Sequence, residues 1–64
     1  MYTIIFENKY GKQFVSDFIF NNLELAKKEL TNLGYKENNR IFYLELDWTI
    51  MKAYIHNFKV NNNE

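Results

Sequence analysis

The sequence predicts an α+β fold, ordered β-β-α-β-β, in which four antiparallel strands form a sheet and one helix packs on one face. Residues 21–35 have the apolar spacing of an amphipathic helix. Residues 1–20 and 40–59 alternate apolar and polar side chains around turn residues, as β-hairpins do. With 64 residues in total, we expect one domain over residues 1–60 and a disordered polar tail over residues 61–64.

The helix is indicated by signals at both of its ends and by one apolar face. Asn21 is the predicted N-cap, and Glu24 lies where a capping box places an acidic residue. Gly34 suits the left-handed position after the helix, and Tyr35 can fold back on Leu30. The face that should pack on the sheet consists of Leu23, Ala26, Leu30 and Leu33.

The first hairpin is predicted to turn at Asn8–Lys12, with Gly11 as the left-handed residue of a three-residue loop. The predicted opposite pairs are Phe6 with Phe14, Ile4 with Ser16, and Tyr2 with Phe18, and all six side chains are expected on the core face of the sheet. A shorter turn would place Asp17 on the apolar face, and burial disfavours that register.

The second hairpin is predicted over residues 40–46 and 51–59, joined by a four-residue loop at Asp47–Ile50 and preceded by a polar turn at Lys36–Asn39. The predicted pairs are Leu46 with Met51, Leu44 with Ala53, Phe42 with Ile55, Glu45 with Lys52, Tyr43 with Tyr54, and Ile41 with His56. Pairs of opposite charge and aromatic pairs are both favourable between neighbouring strands.

The strand order is predicted to be 2-1-3-4, numbered along the chain, because the first and third strands are apolar on both sides. The helix covers only one face of this sheet. The uncovered face should carry apolar residues with a polar rim, namely Ile5, Val15, Ile19, Ile41, Tyr43 and Tyr54, rimmed by Glu7, Asp17, Glu45, Lys52 and His56.

Composition excludes several classes of protein. Eight basic and eight acidic residues cancel, whereas nucleic-acid binding is usually driven by a basic excess. No run of apolar residues is long enough to span a membrane, and the N-terminus lacks a signal-peptide pattern, so we expect a cytoplasmic protein. There is no cysteine, which excludes disulfides and thiolate metal sites.

No combination of residues indicates catalysis or a cofactor. His56 is the only histidine, and zinc needs three or four protein ligands. Ser16 has no neighbouring base to activate it. Glu45 and Asp47 are two nearby carboxylates, but Glu45 is expected to pair with Lys52 on an open face, which offers no distinct environments for an acid and a base. We therefore expect no enzyme, no metal and no cofactor.

The uncovered face indicates binding, since a contiguous apolar patch with a polar rim usually marks an interaction site. Trp48, at the predicted hairpin tip, either folds onto the end of the core or contacts a partner. The residues expected to bind a protein partner are Tyr43, Glu45, Asp47, Trp48 and Tyr54. The residues expected to form a homodimer are Ile5, Val15, Ile19, Ile41 and Tyr54. The alternative is a nucleic-acid-binding module in which Tyr43 and Tyr54 stack on bases.

Residues 20–28, which read FNNLELAKK, followed by Leu33-Gly34-Tyr35 and later by Ala53-Tyr54-Ile55, form a pattern over about residues 20–58. This pattern resembles short phage and mobile-element proteins of low-GC Gram-positive bacteria. The resemblance implies a stoichiometric inhibitor of host machinery, such as an anti-CRISPR or other counter-defence protein, and it carries no functional residue. Glu45 and Asp47 would suit a basic partner surface such as the nucleic-acid channel of a nuclease.

Overall fold

The computed structural model describes residues 1–59, which form one helix packed on an antiparallel sheet. The elements are β1 (Tyr2–Glu7), β2 (Gln13–Val15), α1 (Leu23–Asn32), β3 (Lys36–Asn38), β4 (Ile41–Leu46) and β5 (Thr49–Asn57). The sheet has five strands in the order β2-β1-β5-β4-β3. The α+β class is confirmed, while the four-strand count and the order 2-1-3-4 are wrong. The predicted tail, residues 61–64, lies outside the described residues.

The additional strand is β3, which was expected to be a polar turn. Its three residues pair with β4, and Asn38 lies opposite Ile41. Asn39 and Arg40 make the turn between the two strands with φ angles of 55° and 70°. Two successive left-handed residues define a type I′ turn, in which asparagine is favoured.

The centre of the sheet is β5, flanked by β1 and β4. The helix packs over β1 and β5. Ala26 of the helix and Ala53 of β5 are both 0% exposed. Such small side chains allow a helix to lie close to the strand beneath it. Lys52 of β5 is on the opposite face of the sheet and does not obstruct this packing.

The core lies between α1 and the face of the sheet that was predicted to be covered. Its buried members are Ile4, Leu30, Tyr35, Phe42 and Ala53, with Phe6, Phe20, Leu44 and Ile55 packed against them. Of the predicted helix face, Ala26 and Leu30 are buried, whereas Leu23 and Leu33 are exposed. Among residues 1–59, no helix is long and apolar enough to cross a membrane.

The first hairpin has the predicted turn and register up to Ser16, whose N–H donates to the Ile4 carbonyl over 2.8 Å. Beyond Ser16 the chain bulges, because the Ser16 hydroxyl accepts from the Phe18 N–H and Thr3 donates to the Phe18 carbonyl. Tyr2 therefore pairs with Phe20 and not with Phe18. Phe18, predicted to be in the core, is 65% exposed.

The second hairpin turns at two residues, Asp47 and Trp48, and not at the four-residue loop that was predicted. Its pairs are Leu46 with Thr49, Glu45 with Ile50, Leu44 with Met51, Tyr43 with Lys52, and Phe42 with Ala53. The predicted register was two residues off, so the six predicted pairs do not form. A shift of two residues nevertheless keeps every side chain on its predicted face.

The helix begins one residue later than predicted. Asn22 is the N-cap, and its Oδ1 accepts from the Leu25 N–H over 2.9 Å. Glu24 is consequently not at the capping-box position. The C-terminal prediction is confirmed, since Gly34 has φ of 98° and the Tyr35 N–H donates to the Leu30 carbonyl over 3.0 Å.

Candidate interaction surface

The hairpin of β4 and β5 extends beyond its neighbours in the sheet. Among the described residues, β1 pairs with β5 only as far as Lys52, and β3 pairs with β4 only as far as Tyr43. Residues 44–51 pair only with one another, and we call this segment the arm. At about 3.4 Å per residue, the turn of the arm lies roughly 14 Å beyond the Tyr43–Lys52 pair.

Trp48 lies at the end of the arm and is 101% exposed. The ring therefore does not fold onto the end of the core, which was one of the two interpretations of this residue. Its φ is 70° and that of Asp47 is 41°, which again defines a type I′ turn. Glycine is preferred at the second position of such a turn, so turn geometry does not explain the presence of a tryptophan.

The uncovered face of the sheet, which we call the outer face, has its polar and apolar residues in separate rows. One row crosses all five strands and consists of Gln13, Glu7, Lys52, Tyr43 and Lys36. The next row is apolar and contains Val15, Ile5 and Tyr54. Tyr43 and Tyr54 thus share a face without lying opposite each other, and Tyr43 lies between two lysines.

The structure places the predicted partner-binding residues on the outer face and at the end of the arm. Tyr43 and Tyr54 are half-buried, while Glu45 is exposed and lies opposite Ile50. Asp47 and Trp48 form the turn itself. The predicted dimerisation residues share the outer face with them: Ile5, Ile41 and Tyr54 are half-buried, and Val15 and Ile19 are exposed.

Two residues of this surface were missed by sequence reasoning. Lys36 was assigned to a turn, but it belongs to β3 and lies beside Tyr43. Ile50 was assigned to a loop, but it belongs to β5 and is 54% exposed on the arm. The alternation of apolar and polar residues stops at Met51, because Ile50 is apolar as well, and only the β-branched side chains of Thr49 and Ile50 favour a longer strand.

The charged groups of this surface have no ionic partners among residues 1–59. The ion pair in that part of the chain joins Lys27 and Glu37 at 3.7 Å, on the helix side of the molecule. Glu45 and Asp47 are exposed carboxylates, and Lys36 and Lys52 are cations at the base of the arm. Oppositely charged groups that are unpaired on one face are available to a binding partner.

Other parts of the described chain offer less chemistry. An open depression of about 310 Å³ lies at the far end of the outer face, where His56 stacks on Phe58 with ring centroids 6.4 Å apart. No group of three or more His, Cys, Asp or Glu residues among residues 1–59 could hold a metal ion. Burial raises the pKa of Tyr35, but this residue lies in the core and not on the outer face.

Comparisons of the chain with protein-family models, with curated proteins and with solved structures gave no match.

Proposed function

We propose that this chain is a non-enzymatic protein-binding module that inserts the end of its arm into a partner and acts by stoichiometric binding. The observation that carries the proposal is the complete exposure of Trp48 at the end of a projecting hairpin. Tryptophan is enriched among the residues that dominate binding energy at interfaces. A fully solvated indole in a strained turn contributes nothing evident to the fold, and binding gives it a role.

The acidic character of the arm supports a basic partner. The arm contains two carboxylates, Glu45 and Asp47, and no cation. Charges of this kind at an interface raise the rate of association with a positively charged surface. The class of partner that the sequence pattern implies is a host defence nuclease, whose nucleic-acid channel is basic. Occupying that channel blocks the substrate without any catalytic group on the inhibitor.

The test measures inhibition of a CRISPR effector nuclease at increasing molar ratios of this protein. Wild type is expected to inhibit at a ratio near one to one, and the double variant Trp48→Ala, Tyr54→Ala is expected to lose inhibition. Tyr10→Ala removes another exposed aromatic residue, 81% exposed in the first hairpin turn, and should inhibit like wild type. If a folded double variant inhibits as well as wild type, the proposed surface is wrong.

A second candidate function is binding of single-stranded nucleic acid. It is favoured by Tyr43, which lies between Lys36 and Lys52 on the outer face. Aromatic rings stack on bases while neighbouring cations contact phosphates. Titration with an unlabelled oligonucleotide at two salt concentrations separates the two candidates. Phosphate-driven binding weakens steeply with salt, and Lys36→Ala would weaken it further; absence of binding at low salt excludes it.

A further inference from the structure

We propose that a second copy of this chain binds to the outer face of the arm, so that two arms pair face to face around a two-fold axis. This inference goes beyond the proposed function, which requires only one copy. The partner is identified by the arrangement of side chains on the arm, which is complementary to itself when one arm is reversed. Three features of the arm carry the argument: the spacing of its rows, its exposed apolar groups and its charges.

The arm carries three successive rows of residues, two residues apart along β4, of which the first two lie on the outer face. The first row is Tyr43 with Lys52, and the middle row is Glu45 with Ile50. The third is the turn formed by Asp47 and Trp48, two residues further along β4. Successive rows are about 7 Å apart. A two-fold axis that runs between the two arms, parallel to the middle row, therefore places the turn of each copy over the first row of the other.

The apolar contact at the axis is made by Ile50, which is 54% exposed. The axis brings Ile50 of one copy against Ile50 of the other. Trp48 of each copy then lies over Lys52 of the other, where an indole ring attracts a cation. Ile50 and Trp48 are exposed in the single chain, so their burial supplies favourable free energy of association.

The charges at the two ends of the arm are complementary. Asp47 in the turn of one copy comes between Lys36 and Lys52 at the base of the other, and none of the three has an ionic partner within residues 1–59. A two-fold interface forms this contact twice. The same axis brings the two Glu45 carboxylates side by side, which is unfavourable, and it places Asp47 of each copy over Tyr43 of the other.

The test is sedimentation velocity of the full chain alone, over a series of concentrations reaching well above micromolar. Wild type is expected to associate reversibly into a dimer. Trp48→Gly keeps a residue that type I′ turns prefer and should weaken association by about tenfold or more, as loss of an interface tryptophan does. Glu45→Gln removes the repulsion at the axis and should strengthen association.

Matched variants separate the charge contact from a general effect of net charge. Lys36→Ala should weaken association, whereas Lys28→Ala, which removes the same charge from the exposed side of the helix, should not. Asp47→Asn keeps a residue that tolerates the left-handed conformation and should weaken association as Lys36→Ala does. Circular dichroism of each variant verifies that it is folded.

Two results would overturn the proposal. One is a mass of a single chain at every concentration. The other is association that is unchanged in Trp48→Gly and Lys36→Ala, which would place the contact on another surface, such as the exposed edge of β2. Both results leave the proposed function standing, because partner binding is measured separately. If both proposals hold, dimer formation covers Trp48 and competes with binding of the partner.

Discussion

Trp48 occupies a backbone conformation that is unfavourable for any residue with a side chain. At φ of 70°, its Cβ lies close to the neighbouring backbone, at a cost of about 1–2 kcal/mol. The exposed ring makes no compensating contact with the core. Residues held in such conformations are concentrated at functional sites, which agrees with the position of Trp48 at the end of the arm.

Replacing Trp48 by glycine is therefore expected to stabilise the fold. Trp48→Gly should raise the free energy of unfolding by about 1–2 kcal/mol, because glycine adopts the left-handed conformation without strain. Thermal unfolding followed by circular dichroism measures the change. Trp48→Ala removes the ring but keeps a Cβ, so it should remain close to wild type. A lower melting temperature for Trp48→Gly would show that the ring supports the fold.

Tyr35 makes the stability depend on pH at alkaline values. Burial raises its pKa above the ordinary value of 10.0, so the unfolded chain loses this proton at lower pH than the folded chain does. The resulting stability is complete below pH 10.0 and is lost as the pH rises through the pKa of the folded state. Tyr35→Phe should reduce the alkaline loss of stability, as measured by urea unfolding on both sides of that pH. Tyr10→Phe, the same change at an exposed residue, should not reduce it.

At the scale of elements, the two ends of the helix differ in how far the sequence determines them. Gly34 is the only glycine near its end, and its left-handed position after the C-cap was predicted correctly. Two successive asparagines precede the helix, and either could cap it. In the structure Asn22 is the N-cap. Phe20 still pairs with Tyr2 in the sheet, so Asn21 connects the sheet to the helix and does not cap it.

The choice of cap predicts a difference between two neighbouring substitutions. Asn22→Ala should lower the free energy of unfolding by about 1 kcal/mol, because the Leu25 N–H loses its acceptor. Asn21→Ala should change the free energy of unfolding by only about 0.5 kcal/mol or less, as ordinary surface substitutions do. Chemical denaturation of both variants makes the comparison. The reverse ranking would return the N-cap to Asn21.

Turns explain most of what the sequence did not reveal about the elements. The Asn8–Lys12 turn contains Gly11, whose φ is 83°, and its register was predicted correctly. The turns at Asn39–Arg40 and Asp47–Trp48 contain no glycine, although the type I′ turn normally signals itself by one. Without that signal, β3 was not recognised and the second hairpin was given a loop that was too long.

The candidate site was only partly accessible from the sequence, for the same reason. The register of the second hairpin was wrong by two residues, which leaves every side chain on its predicted face. Tyr43, Glu45 and Tyr54 were therefore assigned correctly to the outer face. The cross-strand neighbours were wrong, and Lys36 was absent from the predicted surface. The projection of the arm depends on where β1 and β3 stop pairing, and this information is not contained in the pattern of β4 and β5 themselves.

At the scale of the whole molecule, the strand order could not be deduced from local alternation. The third predicted strand was placed in the centre because it is apolar on both sides. In the structure β5 takes that position, since Ala53 leaves room for α1. Which strand lies at the centre depends on how the helix fits over the complete sheet. This fit is a property of the assembled core.

The small core leaves little reserve of stability. A chain of 64 residues has a free energy of unfolding of about 3–10 kcal/mol at ordinary values per residue. Leu30 is fully buried, and Leu30→Ala should cost about 2–5 kcal/mol. Leu25→Ala is the matched control, because Leu25 is 47% exposed on the same helix. Equal melting temperatures for the two variants would contradict the packing of α1 on the sheet.

The pairing of β1 with β5 has a consequence for the synthesis of this protein. Among the described strands, β1 is the first to leave the ribosome, and β5, its longest partner, is the last. Until β5 has emerged, β1 is paired only on its β2 side, and α1 lacks the alanine against which it packs. The three strands from β3 to β5 are joined by tight turns and can pair locally, whereas closure of the core must wait for a contact between distant parts of the chain. The apolar face of β1 therefore stays incompletely covered until β5 pairs with it, and the core closes late in folding.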